Sequence, residues 1–377
     1  MHRRSFIKNT SLAAAALAAG TSFTPDRIQS NSLPDWRGFN LLDFYSPDPS
    51  RNHRTTTEEH FKWMRDWGFD FVRLPLAYPC YLDIDRTKDI SPDDTYKINE
   101  QAVDGICNLI DMAQKNGLHA SINLHRAPGY CVNAGFNEPF NLWRDEAAQK
   151  AFYYHWAMWA KRYKNTSNKL VSFDLVNEPS MREDMNDQHS PRGPVPGDVY
   201  RKVAMGARDA IRKEKKDAIV IADGNNGGSL VIPELADLNI AQSCRGYFPG
   251  QISHYKAPWA NKDTTNLPEP KWPGQVGEKY LSRQLLEDFY KPWLELSKQG
   301  VGVHCGEGGS WRRTPHDVFI AWFGDVTDIL FSNNIGIALW NFIGDFGILD
   351  SGRTDVAYED WYGHKLDRKL LNLIVRK

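Results

Sequence analysis

With 377 residues, 41% of them hydrophobic, the chain is long enough for one large domain or two ordinary ones and apolar enough for a substantial core. Its 46 basic and 47 acidic side chains nearly cancel, leaving a net charge of −1. That excludes the basic footprint of a nucleic-acid binder and a polybasic membrane patch, and points to a neutral partner.

The N-terminus differs from the rest. Arg3-Arg4 precedes Phe6-Ile7-Lys8 and an apolar run from Leu12 to Gly20, too short for the roughly 20 residues that span a bilayer. A charged start, an apolar middle and small residues near Ala18 to Gly20 have the build of an export signal, and the arginine pair resembles a twin-arginine signal. We expect residues 1–30 to be a signal and linker, twin-arginine-like or ordinarily secretory. The chain would then be periplasmic or extracellular, with residues 31–377 as its one folded, catalytic unit and no stable membrane insertion.

From there on, short apolar runs alternate with amphipathic stretches. The runs at 38–42, 69–74, 119–124, 170–176, 218–222, 251–253, 301–305 and 335–339 are eight candidate strands. Between them, Thr56-Thr57-Glu58-Glu59 has the pattern of a capping box opening a helix that runs to about Gly68. Ile98, Val103, Ile106, Ile110 and Ala113 recur at helical steps before a stop at Gly117. Stretches 144–164, 198–215, 281–299, 315–333 and 365–375 also read as helices. Strand–helix alternation implies a parallel sheet, and eight units close into an α/β fold of the (β/α)8 TIM-barrel type, as a single domain. An open doubly wound sheet is the rival architecture, but no Gly-rich phosphate loop follows the first strand. Pro- and Gly-rich stretches at 190–197 and 258–277 read as loops of the barrel.

The five cysteines, at 80, 107, 131, 244 and 305, form no disulfide framework, although a Cys80–Cys131 bridge is conceivable because both follow strand ends. With no C-x-x-C, H-x-H or H-E-x-x-H, we expect no zinc.

The strand ends carry the chemistry. Arg73 ends the second, His125 the third, Asn177-Glu178 the fourth, His254-Tyr255 the sixth, Glu307 the seventh and Trp340 the eighth. In barrels these ends converge on one cleft. Two carboxyl groups facing one another suit glycosidic bond cleavage, where one protonates the leaving oxygen and the other attacks the anomeric carbon from about 5–5.5 Å away in the retaining mechanism. Supporting roles follow from the other groups. Arg73 can keep Glu307 ionised and Tyr255 can orient it. Asn177 can hold a sugar 2-hydroxyl, His125 and His254 can bind hydroxyls or tune Glu178, and Trp340 can floor the sugar ring. Trp143, Trp259, Trp272 and Trp311 lie in the following loops, where further sugar subsites are built. Taken alone, Arg73 could bridge a loop carboxylate, His125 be a satisfied core histidine, Glu178 cap a helix, Glu307 sit in a solvated turn, and Trp340, Tyr255 and the loop tryptophans pack; their coincidence at strand ends argues for a site.

In this order, Arg73-Leu74-Pro75, Asn123-Leu124-His125, Asn177-Glu178-Pro179, His254-Tyr255, Gly306-Glu307-x-Gly309 and Trp340 resemble glycoside hydrolase family 5, the cellulase-like retaining glycosidases with catalytic glutamates on strands four and seven. Gly347-Ile348-Leu349-Asp350 and Gly363-His364-Lys365-Leu366-Asp367 share that resemblance, which runs from about residue 34 to the end. It implies Glu178 as acid/base, Glu307 as nucleophile, and no metal or organic cofactor. Asn123, where Asp is common, and the unusual His304-Cys305 depart from the pattern without removing a catalytic group. The expected partner is a β-linked glycan, a glucan or a mannan, and the enzyme is expected to be a monomer. The loop 125–143, with Ala127-Pro128-Gly129-Tyr130, resembles exo-acting β-1,3-glucanases, while the other motifs suit endo-β-1,4-glucanases and mannanases equally. Transglycosylation on the same scaffold remains open. A non-catalytic glycan-binding barrel would lack one of the carboxylates, and a metal-dependent barrel hydrolase would need His and Asp ligands at strand ends that are absent here.

Overall fold

The computed structural model describes residues 31–133, 138–184 and 186–376. Eight strands form the frame: β1 (Gly38–Asn40), β2 (Phe71–Ala77), β3 (His119–Ala127), β4 (Val171–Asp174), β5 (Ile219–Asp223), β6 (Ala241–Gly246), β7 (Val303–Gly308) and β8 (Ile337–Leu339). Each pairs in parallel with the next, and β1 pairs with β8, so the sheet closes on itself. Helices α1 (Glu58–Asp66), α2 (Glu100–Lys115), α3 (Glu146–Arg162), α4 (Gly197–Glu214), α5 (Arg283–Lys298), α6 (His316–Phe331) and α7 (Arg368–Ile374) surround it. A 3-10 turn at Pro233–Leu238 stands in the β5–β6 connection. This is the expected (β/α)8 barrel.

One strand lies elsewhere than its apolar run suggests. Gln251–Ser253 belongs to a short helical turn, and the sixth strand is the polar-looking Ala241–Gly246. Its Ser243 and Arg245 face the barrel interior, while Gln242 is satisfied by both the N–H and the carbonyl of Ile232. The start of α1 also differs in detail. Thr57 caps it, and the group that reaches back to the cap N–H is the His60 ring at 3.2 Å rather than a glutamate. Thr56 is instead tied to Asp43.

Between barrel and helices the core is aromatic, with Trp156, Trp159, Trp293 and Trp322 fully buried. The N-terminal end of the barrel is plugged by Trp36, Phe71, Ile221, Ala241 and Ala338, with Trp36 stacked on His119 at 3.9 Å. Above this plug the interior turns polar, with Arg73, Asp174, Asp223, Arg245 and Glu307 all buried within it.

Two strands bulge where they reach the mouth. The β6–β7 register slips between Cys305 and Glu307, and the β2–β3 register skips His125. A bulge re-aims the side chains around it. The extra residue in β7, Gly306, could be little else, since a Cβ there would lie 2.5 Å from Ser243 Oγ.

Candidate active site

The residues that β1, β2, β4, β5, β6 and β7 deliver to the mouth form a network around two buried guanidiniums. Arg73, on β2, donates Nε to Asp174 at 2.6 Å, Nη1 to Asn40 at 3.0 Å and to Glu307 at 2.6 Å, and Nη2 to Asn177 at 3.0 Å. Arg245, at the end of β6, donates Nε to Glu178 at 3.0 Å and Nη2 to Asn177 at 3.0 Å, and its Nη2 lies 3.3 Å from Glu307. Its other edge grips Asp223 in a two-pronged ion pair. Such fork pairing is what a planar guanidinium does and an ammonium cannot.

Glu178 and Glu307 therefore share one guanidinium and are held close together. Their surroundings differ. The Glu307 side chain is 4% exposed, with Oε1 on Arg73 and Oε2 accepting the Tyr247 hydroxyl at 3.2 Å. That of Glu178 is 18% exposed and open to the cleft. Two cations face four carboxyls (Asp174, Asp223, Glu178 and Glu307), so charge is not balanced. Burial pushes the Glu307 carboxyl up, to about 7, with the guanidiniums of Arg245 and Arg73 pulling the other way. Burial next to Asp223 likewise raises Asp174, to about 7.

Glu178 sits in the left-handed region, at φ 48°, an unfavourable place for a side chain with a Cβ. Its backbone is pinned on both sides: its N–H donates to Asp223 at 2.9 Å, and its carbonyl accepts the Tyr130 hydroxyl at 2.6 Å. Asn177 is oriented by charge. Both arginines can only donate, so its Oδ1 faces them and its buried Nδ2 is left without a protein partner. His125 is in a similar condition: its Nδ1 is buried and unpartnered, and burial with Arg73 nearby holds the ring far below its usual pKa, hence neutral. These two groups offer hydrogen bonds to a ligand hydroxyl.

Around this centre runs a cleft of about 1280 Å³. Trp340 lines it beside Tyr45 and His125, and His254, kept neutral by burial, lines it further on. Trp259 and Trp311 meet edge to face at 4.7 Å in its wall.

Of the residues singled out in the sequence, Arg73, His125, Asn177, Glu178, His254, Glu307, Trp340, Trp259 and Trp311 converge on this region. Tyr255 does not: it lines a neighbouring pocket, and the tyrosine on Glu307 is Tyr247. The error follows directly from the misplaced sixth strand. Trp143 is not a cleft residue either. It is buried against Tyr130 and Tyr200, whose hydroxyls hold the carbonyls of Glu178 and Asp223, so its influence is indirect. Trp272 is buried away from the cleft, its Nε1 on Asp325 at 2.8 Å. Cys80 and Cys131 are free, buried thiols, not a bridge.

Arg245, Asp174 and Asp223 were missed. Asp223 lies one residue past the apolar run that marked β5, Asp174 lies inside the run that marked β4, and Arg245 had no apolar run to mark it. Among the described residues, no group of His, Cys, Asp and Glu is arranged to hold a metal ion, and no helix is long and apolar enough to cross a membrane.

Comparison with known proteins adds a family. The model for cellulase (glycosyl hydrolase family 5) matches residues 27–345. Endoglucanase C of Acetivibrio thermocellus is 27% identical over 355 residues, covering 87% of this chain and 94% of that one. A crystal structure of a glycoside hydrolase is 35% identical with a TM-score of 0.81, covering 90% of this chain and 98% of that one. The fold of Thermotoga maritima Cel5A, solved with mannotriose, superimposes with a TM-score of 0.70 at 20% identity, over 93% of this chain and 100% of that one.

Proposed function

Since the chain belongs to glycoside hydrolase family 5, the cellulase family, we propose that it cleaves a β-linked glucan with retention of configuration, Glu178 serving as acid/base and Glu307 as nucleophile. The observation that carries this is the sharing of Arg245 between the two carboxylates. It supports a separation suited to attack by one and protonation by the other.

The division of roles follows from the surroundings. A nucleophile must be aimed and ionised at the moment of attack, and Glu307 is fixed by Arg73, Arg245 and Tyr247. An acid/base must exchange protons with the leaving group and then with water, and Glu178 is the more open of the two. In the first step the Glu307 oxygen bonds the anomeric carbon as the bond to the leaving oxygen breaks, and that oxygen takes the proton of Glu178. The ester that forms carries no charge. The repulsion between the two carboxylates is thereby removed, and Glu178 can be the anion that takes a proton from water as water displaces Glu307. Asn177 Nδ2 is the free donor for a sugar hydroxyl beside the reacting carbon, and Trp340 supplies an apolar face for the ring.

Similarity to relatives such as endoglucanase C favours a β-1,4-glucan, with mannan as the second substrate to test. A polymer that cannot enter a cell also supports export by residues 1–30, which lie outside the described residues, and we take residues 31–377 to act as one catalytic unit and as a monomer. The roles are tested by azide rescue. Glu178→Ala should retain the first step on an aryl glycoside with a good leaving group, stall, and be released by azide as a β-glycosyl azide. Glu307→Ala should give the α-azide, because azide then attacks the substrate itself. The same anomer from both variants would refute the assignment.

A further inference from the structure

Tyr255 was expected beside the nucleophile but is found on the far side of the cleft rim. There it lines a second cavity, of about 320 Å³, with Leu267, Pro268, Val276, Glu278 and Lys279. The cavity and the main cleft share Gly250, Gln251 and Asn261 in their linings, so the two adjoin. We propose that this cavity is a further glycan subsite, and that the enzyme is adapted to chains long enough to occupy it and the Glu178–Glu307 pair at once. This rests on the glycosidase reading above and narrows it to a polymeric substrate.

The chemistry of the cavity matches a pyranose. Leu267, Pro268, Val276 and the ring of Tyr255 offer apolar surface for C–H faces, while Gln251, Glu278 and Lys279 place polar groups of both kinds around it. His254 and Tyr255 are neighbours in sequence yet serve different compartments, His254 in the cleft and Tyr255 in the cavity. The chain turns sharply at Lys256, which has φ 57°, and the Lys256 ammonium lies 5.1 Å from the Tyr255 ring centroid.

The rim between the compartments is built rather than loose. Asn261 Nδ2 donates to the carbonyls of His254 at 2.7 Å and Ala257 at 3.0 Å. The backbone N–H of Trp311 donates to the Ser253 carbonyl at 2.7 Å, and Thr314 Oγ1 to the Ile252 carbonyl at 2.6 Å. The far wall is an antiparallel hairpin pairing Gly274–Val276 with Lys279–Leu281. A preformed cavity avoids the ordering cost a floppy loop would bring to binding. At the shared rim Gln251 is exposed, and a Cβ on Gly250 would meet nothing within 4 Å, so no side chain crowds the backbone there.

The test is kcat/KM against chain length, using β-1,4-linked gluco-oligosaccharides of three to six units with the mannose series in parallel. Wild type, Tyr255→Ala and Gln251→Trp are compared, with circular dichroism melts to show that each is folded. For the wild type, kcat/KM should climb with length. Tyr255→Ala should lower the six-to-three ratio by about three- to tenfold, the worth of one aromatic contact. Gln251→Trp, which places bulk where the two linings meet without removing the Tyr255 ring, should lower it too, and it carries the test alone if Tyr255→Ala does not fold. Losses that are equal at every length, or no losses, would overturn this proposal while leaving the glycosidase reading standing. No cleavage of any length by the wild type would overturn both.

Discussion

Asp223 accepts the backbone N–H of Glu178 at 2.9 Å through Oδ2, the same oxygen that Arg245 grips. The carboxylate on β5 thus holds the backbone of one residue and the charge of another, and the posture of Glu178 depends on a side chain that never reaches the reacting bond.

Asp223→Asn keeps an acceptor for that N–H while removing the charge, and Asp223→Ala removes both. Breaking a buried ion pair by removing one partner costs about 3–5 kcal/mol. Asp223→Asn should approach that loss in denaturant unfolding, and Asp223→Ala should exceed it by about 1–3 kcal/mol for the unpaired Glu178 N–H. Equal losses would mean that the hydrogen bond to Glu178 adds nothing.

The left-handed backbone at Glu178 reverses an ordinary ranking. Glycine at a position of negative φ usually destabilises relative to alanine, but here it relieves about 1–2 kcal/mol of conformational cost. Glu178→Gly and Glu178→Ala both lack the carboxylate, so their difference isolates the backbone. The glycine variant should melt at the higher temperature, and a lower melting temperature would show that the strain is absorbed elsewhere.

Tyr247→Phe removes the hydroxyl from Glu307 Oε2. A hydrogen bond to a charged group contributes about 1.5–3 kcal/mol, so kcat should fall by roughly ten- to hundredfold, with the loss largest in whichever step depends on the aim of Glu307. Wild-type kcat in this variant would place Tyr247 outside the working site.

Because burial raises Glu307 to about 7 from an ordinary value of 4.5, the acid limb of kcat/KM should lie well above 4.5: below its raised pKa the carboxyl is protonated and cannot attack. The linkage to stability has the opposite sign. Between about 4.5 and 7 the folded protein holds a proton that the unfolded chain releases, so the contribution of Glu307 to stability declines as pH rises across that window. Glu307→Gln removes this dependence. Its melting temperature relative to wild type should rise from pH 4.5 to 7 and then level, while activity falls by several orders of magnitude. An acid limb at 4.5 or below, or a flat difference in melting temperature, would contradict the raised pKa.

The barrel could be read from the sequence wherever apolar residues run together or recur at every second position, as in β2 and β3, or lead into a recognisable motif, as in β4 and β7. β6 could not, because barrel closure buries it around Ser243 and Arg245, and polar residues satisfied by partners far away in sequence look like a surface loop. The same blindness hid Arg245 and displaced the tyrosine expected beside Glu307 from 247 to 255. Asp174 and Asp223 were obscured for a related reason: their importance lies in Arg73 and Arg245, contacts that periodicity cannot show. Trp143 and Trp272 were assigned by loop position alone, which does not tell an inward ring from an outward one.

The segment from Ser253 to Leu281 leaves the barrel after β6 and rejoins it before α5, and among the described residues it supplies none of the hydrogen bonds to Glu178 or Glu307. The proposed further subsite therefore stands on a stretch of chain that the hydrogen bonds to the two glutamates do not use. Grafting this one excursion onto a related barrel is expected to carry the chain-length preference with it while leaving the two glutamates and their partners in place.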